Sequence, residues 1–292
     1  MLFKKTIAAL LFTFVTLPAF AESPVFKVSK DDSSVFIGGT IHLLSPQDYP
    51  LPDGFYQAFD ESAKVFFEVD GSKLQDPNVQ AQMASMMTLT NGQTLQTTLN
   101  EETYSALSAF ITDRQLPVQA FSQITPAGVS ISLTIFELQR LGLGNPESGV
   151  DHFFETKANQ NDAKSTGYLE TVDEQIGFLG SLNEVDPNTL IKSSLEDLAT
   201  LQASWKKGVA AWRRGDMSVM AKELGGDKMK AQFPSIHKTL LTDRNERWLS
   251  DIYTMFETPE IELILVGAMH LVGDDGLIEL LRAQGYVVEQ LK

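Results

Sequence analysis

Ile261-Glu262-Leu263-Ile264-Leu265-Val266 runs directly into Gly267-Ala268-Met269-His270, a short apolar run closed by a glycine and, three residues later, a histidine. Near the other end of the chain Val35-Phe36-Ile37 runs into Gly38-Gly39-Thr40-Ile41-His42, the same phrase again. Each run reads as a strand, and each Gly-x-x-His lies just beyond its carboxyl end. The glycines suit a chain that must turn sharply there, because they accept backbone angles that other residues resist. The chain has only 4 histidines, so half of them share this local context. Ligands of open α/β sheets collect outside the carboxyl ends of the strands. Two histidines placed there face one pocket if the first and last strands lie near each other.

Working outward, residues 25–41 alternate apolar pieces with the turn Asp31-Asp32-Ser33-Ser34 and predict a β-hairpin feeding the first motif. Pro46, Pro50 and Pro52 mark a loop, residues 54–63 a helix, and Val65-Phe66-Phe67-Glu68-Val69-Asp70 a strand ending in carboxylates. Strand, helix, strand predicts a right-handed crossover and a parallel pair. The middle of the chain reads differently. Helices are expected over 78–87, from a cap at Asn100, and from Thr125-Pro126 to Arg140, with a short extended piece over 94–99. Asp151 is placed as the N-cap of a helix running to about Asn159. Lys164 to Glu170 reads as a strand, residues 173–250 as almost wholly helical with an interruption at Pro234, and 277–284 as a helix before a last strand at 285–289. The fold class is therefore α/β: a central, mostly parallel sheet built from the N- and C-terminal segments, with a large helical insertion over about 74–250, in one domain spanning 22–292.

Composition narrows the function. The start of the chain combines Lys4 and Lys5, an apolar run from Thr6 to Leu17, and Ala19-Phe20-Ala21. That is the pattern of a signal peptide over 1–21, cut after Ala21, and it predicts a periplasmic or secreted protein. No later segment reads as a membrane span. There is no cysteine, hence no disulfide, thiolate metal site or thiol nucleophile. The formal charge of −15 argues against nucleic acid as a partner.

Four strand ends carry ionisable groups: His42, Glu68 with Asp70, Glu170 and His270. Imidazole and carboxylate are the usual ligands of catalytic divalent metals, which keep three protein ligands and a position for water. His42, Glu68 and His270 suffice as metal ligands. Glu170 remains as a general base or as a group orienting one imidazole. Arg244 clamps a substrate carboxylate or holds a catalytic glutamate, with a plain salt bridge as the alternative. His152 is expected to be bystander to a capping Asp151, His237 to be solvated, and Trp205, Trp212 and Trp248 to pack in the core. No Gly-x-Ser-x-Gly elbow, phosphate loop or dinucleotide fingerprint is present.

Taken in order, Gly39-Thr40-Ile41-His42, Glu68-Val69-Asp70, Gly149-Val150-Asp151, Leu169-Glu170-Thr171 with Gln175, Trp212-Arg213-Arg214-Gly215-Asp216, Arg244-Asn245-Glu246-Arg247-Trp248 and Gly267-Ala268-Met269-His270-Leu271-Val272-Gly273 resemble the TraB/PrgY/GumN/TIKI family over residues 24 to 292. The resemblance implies an α/β core shared with erythromycin-esterase-like and ChaN-like proteins. It also implies a divalent-metal-dependent hydrolase, most simply a peptidase, using manganese or cobalt, with zinc also compatible. The substrate would be a peptide or protein, with His42, Glu68 and His270 as metal ligands or catalytic groups and Arg244 as the family arginine. Two other functions stay open: a metal-free hydrolase in which histidine and glutamate activate water, and a non-enzymatic protein that binds a peptide or haem.

Overall fold

Asp31, held in the left-handed region at φ 52°, turns β1 (Val25–Lys30) back along β2 (Ser33–Thr40). This is the expected hairpin, antiparallel from Val25 opposite Gly38 to Lys30 opposite Ser33. The computed structural model describes residues 22–292, so the expected signal sequence over 1–21 lies outside the described residues. After the hairpin, α1 (Asp53–Glu61) buries Phe55, Ala58 and Phe59, the i, i+3, i+4 stripe of an amphipathic helix. β3 (Lys64–Phe67), β4 (Ser165–Tyr168), β5 (Glu262–Gly267) and β6 (Val287–Gln290) complete a six-stranded sheet in the order β4-β3-β5-β2-β1-β6. β4, β3, β5 and β2 are parallel, and β1 runs against both of its neighbours.

The crossover differs from expectation in one respect. β2 and β3 are parallel but not adjacent, because β5 lies between them, pairing Phe36–Thr40 on one side and Lys64–Phe67 on the other. The reason is burial. Leu263, Ile264, Leu265 and Val266 are all fully buried, so β5 is apolar on both faces and belongs at the centre of a sheet covered by helices. The first and last motifs are thereby brought onto neighbouring strands.

The middle of the chain supplies α2 (Pro77–Met86), α3 (Leu95–Thr98), α4 (Glu101–Asp113), α5 (Pro126–Arg140), α6 (Val150–Asn159), α7 (Val172–Gly180) and the long α8 (Pro187–Arg213). Then follow α9 (Met217–Glu223), α10 (Gly226–Gln232), α11 (Pro234–His237), a π turn over Lys238–Thr242, α12 (Asp243–Met255) and, after β5, α13 (Leu277–Ala283). The extended piece expected over 94–99 is instead the short helix α3. Thr94 caps it by accepting from the Thr97 amide while Thr97 Oγ1 accepts from the Thr94 amide, and that reciprocal pair outweighs the β-branched threonines. Pro234 ends α10 and opens α11, as its missing N–H requires.

Two apolar cores result. One surrounds the sheet and takes in Phe55, Phe154, Trp212 and Trp248, and the other lies within the helical middle around Leu107, Ile111, Val129, Leu133 and Ile191. β4 and α6 fall inside the span expected as the insertion, yet both belong to the sheet layer. Among the described residues no helix is long and apolar enough to cross a membrane.

Candidate functional site

Four consecutive parallel strands must present their carboxyl ends along one edge of the sheet. The chain places Glu170 beyond β4, Glu68 beyond β3, Gly267 and His270 at the end of β5, and His42 beyond β2. With strands ~4.8 Å apart, that edge is about 14 Å wide, the breadth of a small-ligand site. Backbone bonds continue the alignment past the strands, the Glu170 amide donating to the Glu68 carbonyl at 2.9 Å.

Arg244 enters this edge from α12. Its Nε and Nη2 form a fork on Glu170, at 3.0 and 2.6 Å. Nη2 also reaches Glu68 Oε2 at 2.5 Å, and Nη1 donates to the Leu240 carbonyl at 3.0 Å and lies 3.1 Å from His270 Nε2. Every N–H of the guanidinium is thus engaged, leaving none for a substrate anion. Glu68, Glu170, Arg244 and His270 are all buried. Burial alone would raise the Glu68 carboxyl, but Arg244, the two histidines and the Gly267 amide outweigh it and bring it down to about 2. Burial wins at Glu170, whose carboxyl is raised despite Arg244 and Arg247. Arg247 reinforces the arrangement, bonding Glu170 at 3.1 Å and Glu174 at 3.2 Å.

His270 is fixed by Asn245, a neighbour of Arg244 on α12. Asn245 Nδ2 donates to the carbonyls of His270 and Asp275, at 3.2 and 2.8 Å, so its Oδ1 faces His270 Nδ1 at 2.7 Å. An amide oxygen only accepts, so Nδ1 carries the ring proton and Nε2 accepts from Arg244. Burial makes the charged ring costly, and the His270 pKa falls to about 3. The ring packs on Trp248 with centroids 4.5 Å apart.

His42 has the opposite surroundings. Its side chain is 60 % exposed, and its Nδ1 lies 2.7 Å from Asp151 Oδ2. Asp151 Oδ1 accepts from Thr40 Oγ1 at 2.8 Å. The negative charge of Asp151 raises the His42 pKa to about 9, against a desolvation that lowers it. Water reaching the ring screens that pull without reversing its direction. Asp151 is therefore not the N-cap expected from the sequence. Gly149 occupies the cap position, and Asp151 sits in the first turn of α6 with both oxygens turned to the β2 end. Glycine is required at the cap because a Cβ at Gly149 would lie 2.4 Å from the His42 carbonyl oxygen. That close approach, with the Val150 amide bonded to the Ile41 carbonyl at 3.1 Å, sets Asp151 against His42.

The two motifs meet over Gly267. A methyl group placed on this residue would lie 3.2 Å from Glu68 Oε1, 3.6 Å from His42 Nε2 and 3.7 Å from His270 Cδ2. The Gly267 amide holds Glu68 Oε1 at 2.6 Å. A small opening at the end of the central strand is thus bordered by a carboxylate and two imidazoles.

The model of the TraB/PrgY/gumN family matches residues 24–290. The chain belongs to this family. Metalloprotease TIKI2 of Danio rerio is 23% identical over 302 residues, covering 87% of this chain and 58% of the relative. Metalloprotease TIKI1 of Homo sapiens is 22% identical, covering 91% of this chain and 61% of the relative. The chain therefore spans about three fifths of the length of these relatives. No solved structure matches it.

The remaining histidines and the tryptophans differ in their surroundings. His152 is exposed, away from the contacts described above. His237 is not solvated as expected: its side chain is 12% exposed and lies 3.5 Å from Asp275. Trp212 and Trp248 are fully buried as expected, and Trp212 Nε1 also donates to the Gly39 carbonyl at 2.7 Å. Sequence reasoning missed Asp151, Thr40 and Asn245 as partners of the two histidines. Adjacency was the available signal, since Thr40 lies within the first motif and Asn245 follows Arg244.

Whether the site suits a divalent metal depends on its free lone pairs. His42 Nδ1 is tied to Asp151, which presents Nε2 to the opening in the carboxylate–histidine arrangement common behind metal ligands. Glu68 Oε1 stands beside it with one hydrogen bond only. These two fit a cation by the chemistry of their free lone pairs. His270 as placed does not add a third ligand, because its one lone pair accepts from Arg244. Accordingly, no three acidic or imidazole groups among the described residues are grouped to hold an ion.

Proposed function

We propose that this protein is an exported hydrolase of peptide bonds, with His42 and Glu68 as the catalytic residues that touch the reacting atoms. The observation that carries the reading is the convergence of His42 Nε2 and Glu68 Oε1 on the bare face of Gly267. The names of the relatives support a protease. The signal-like residues 1–21 support export, which a mature N-terminus at Glu22 in the exported protein would verify.

Asp151 holds the His42 ring so that Nε2 points at the opening. Glu68 is held ionised by Arg244 and the Gly267 amide, with its Oε1 at the opening. Glu170 serves as anchor for Arg244, and through it for Glu68, which is the glutamate-holding role considered for Arg244. His42 and Glu68 are the residues that would hold a divalent metal; when bound, it would polarise the scissile carbonyl and acidify the water. Manganese, cobalt and zinc all accept this nitrogen and oxygen pair.

A second reading follows from the full engagement of Arg244 with His270 and from the raised His42 pKa. Without metal, His42 is an imidazolium at neutral pH and donates its Nε2 proton to the leaving amine, while Glu68 accepts from water. Two groups whose pKa values are driven so far apart form an acid–base pair.

The experiment is hydrolysis of casein and of a mixed peptide library by the protein freed of metal, then resupplied with manganese, cobalt or zinc. Recovery only with metal supports the first reading, and undiminished turnover in chelator supports the second. His42→Ala and Glu68→Gln should both abolish turnover. Parent rates in both variants would refute the proposal.

A further inference from the structure

His42 is followed directly by Leu43, and Leu43 forms one wall of an apolar groove of about 340 Å³. Ala127, Ile131 and Ile135 contribute its floor from α5, and Leu182 and Leu190 also line it. The floor residues recur at i, i+4 and i+8, so they lie on one face of α5. That face is not the one the helical core uses, which takes Val129 and Leu133. α5 therefore carries a second apolar face, and the groove over it is lined by the residue that follows the candidate catalytic histidine.

Two hydroxyls also line the groove, and neither has a proton to offer a ligand. Ser130 Oγ donates to the Pro126 carbonyl at 3.0 Å and accepts from Ser194 Oγ at 2.9 Å. Thr134 Oγ1 donates to the Ser130 carbonyl at 2.9 Å. With its polar donors spent on the helix backbone and no charged side chain in its wall, the groove offers a ligand apolar contact alone. A charged or strongly polar group placed there would lose its water without compensation. The volume is at the lower end of small-ligand pockets, enough for one or two large side chains.

We infer that this groove binds an aliphatic or aromatic side chain of the peptide substrate, next to the bond presented to His42 and Glu68, and that Ile131 is its main specificity-determining residue. The inference rests on the peptidase reading above. It assigns the substrate class as peptides with a large apolar residue flanking the scissile bond. Leucine or phenylalanine at that position is preferred over alanine, and aspartate is rejected.

The test is a series of otherwise identical peptides carrying Leu, Phe, Ala, Ser or Asp beside the cleaved bond. The leucine and phenylalanine peptides should exceed the alanine peptide by about 10- to 100-fold in kcat/KM, the scale of an apolar pocket filled or left empty. Ile131→Trp, which fills the groove, should bring the Leu-to-Ala ratio towards one. Ile131→Ala, which widens it, should shift the preference from leucine to phenylalanine, and serves if the tryptophan variant proves unfolded by circular dichroism. Turnover without an apolar preference, or a preference that neither variant alters, would overturn the inference. Titrating His42→Ala calorimetrically with the leucine peptide separates the two proposals. Binding by His42→Ala that disappears in His42→Ala/Ile131→Trp, with no turnover by the parent, would retain the groove and remove the peptidase.

Discussion

His42 and His270 close the same four-residue phrase on neighbouring parallel strands, yet one is 60% exposed with Asp151 raising its pKa while the other is 3% exposed with burial lowering its own. Their pKa values diverge to about 9 and about 3. The difference teaches that a motif fixes where a side chain stands and that its partner fixes what it does. A carboxylate behind an imidazole gives a proton donor or a strong metal ligand. An amide oxygen behind a buried imidazole gives a rigid acceptor, which here orients Arg244.

The largest disturbance of this contrast should come from Arg244→Met. It leaves Glu68 and Glu170 buried without their cation, and removing one partner of a buried ion pair costs about 3–5 kcal/mol. Urea unfolding should show that loss, and turnover should vanish with it. Asp151→Asn attacks the other histidine. The His42 pKa should fall from about 9 towards the ordinary value near 6.5, seen by histidine NMR titration, with hydrolysis reduced by about 10- to 100-fold and with loss of the stability that the raised pKa represents. An unchanged titration would mean that Asp151 does not set the charge of His42. Asn245→Leu strands the buried Nδ1 proton of His270 and should destabilise the fold by about 1–3 kcal/mol.

The two histidines should also divide the pH dependence of stability. His270 has a lowered pKa, so below about 6.5 the unfolded chain binds a proton that the folded chain refuses, and stability falls from there towards pH 3. The slope from this one group is at most ~1.4 kcal/mol per pH unit. Glu68 adds a loss at lower pH, as the solution falls from about 4.5 through about 2. His42 has a raised pKa, so its stabilising effect is complete below about 6.5 and is lost as the pH rises through about 9. Urea melts from pH 4 to 10 should therefore show a flatter acid limb in His270→Asn and a flatter alkaline limb in His42→Asn. The smallest expected change is that of Thr40→Val, which removes a single bond to Asp151 and should cost about 1 kcal/mol.

The strand ends were legible because their signal is local. An apolar run and a following Gly-x-x-His state the position of His42 and His270 without reference to the rest of the chain. Glu68 and Glu170 were legible for the same reason. Asp151 was not, because its partner lies 109 residues away and a carboxylate near a helix start has a ready local role as a cap. Only the contact of Gly149 with the His42 carbonyl decides between the two. The place of β5 between β2 and β3 was equally hidden. A crossover rule predicts that the two strands are parallel but does not exclude a third strand from between them. For Thr94–Leu99, side-chain capping prevailed over β-branched propensity, a balance that composition does not reveal.

The position of β5 has a consequence for how the protein forms. The four-strand parallel array has its central member near the end of the chain, so β2 and β3 have no common neighbour until residue 262 is available. The helical middle, with a core of its own, is able to gather earlier through contacts closer in sequence. Sheet closure then requires pairing across more than two hundred residues, the kind of long-range step that slows folding. The sheet edge that carries His42, Glu68 and His270 is consequently assembled late. A chain interrupted before β5 would keep its helical middle but lack Gly267 and His270, and His42 and Glu68 would have no strand end between them.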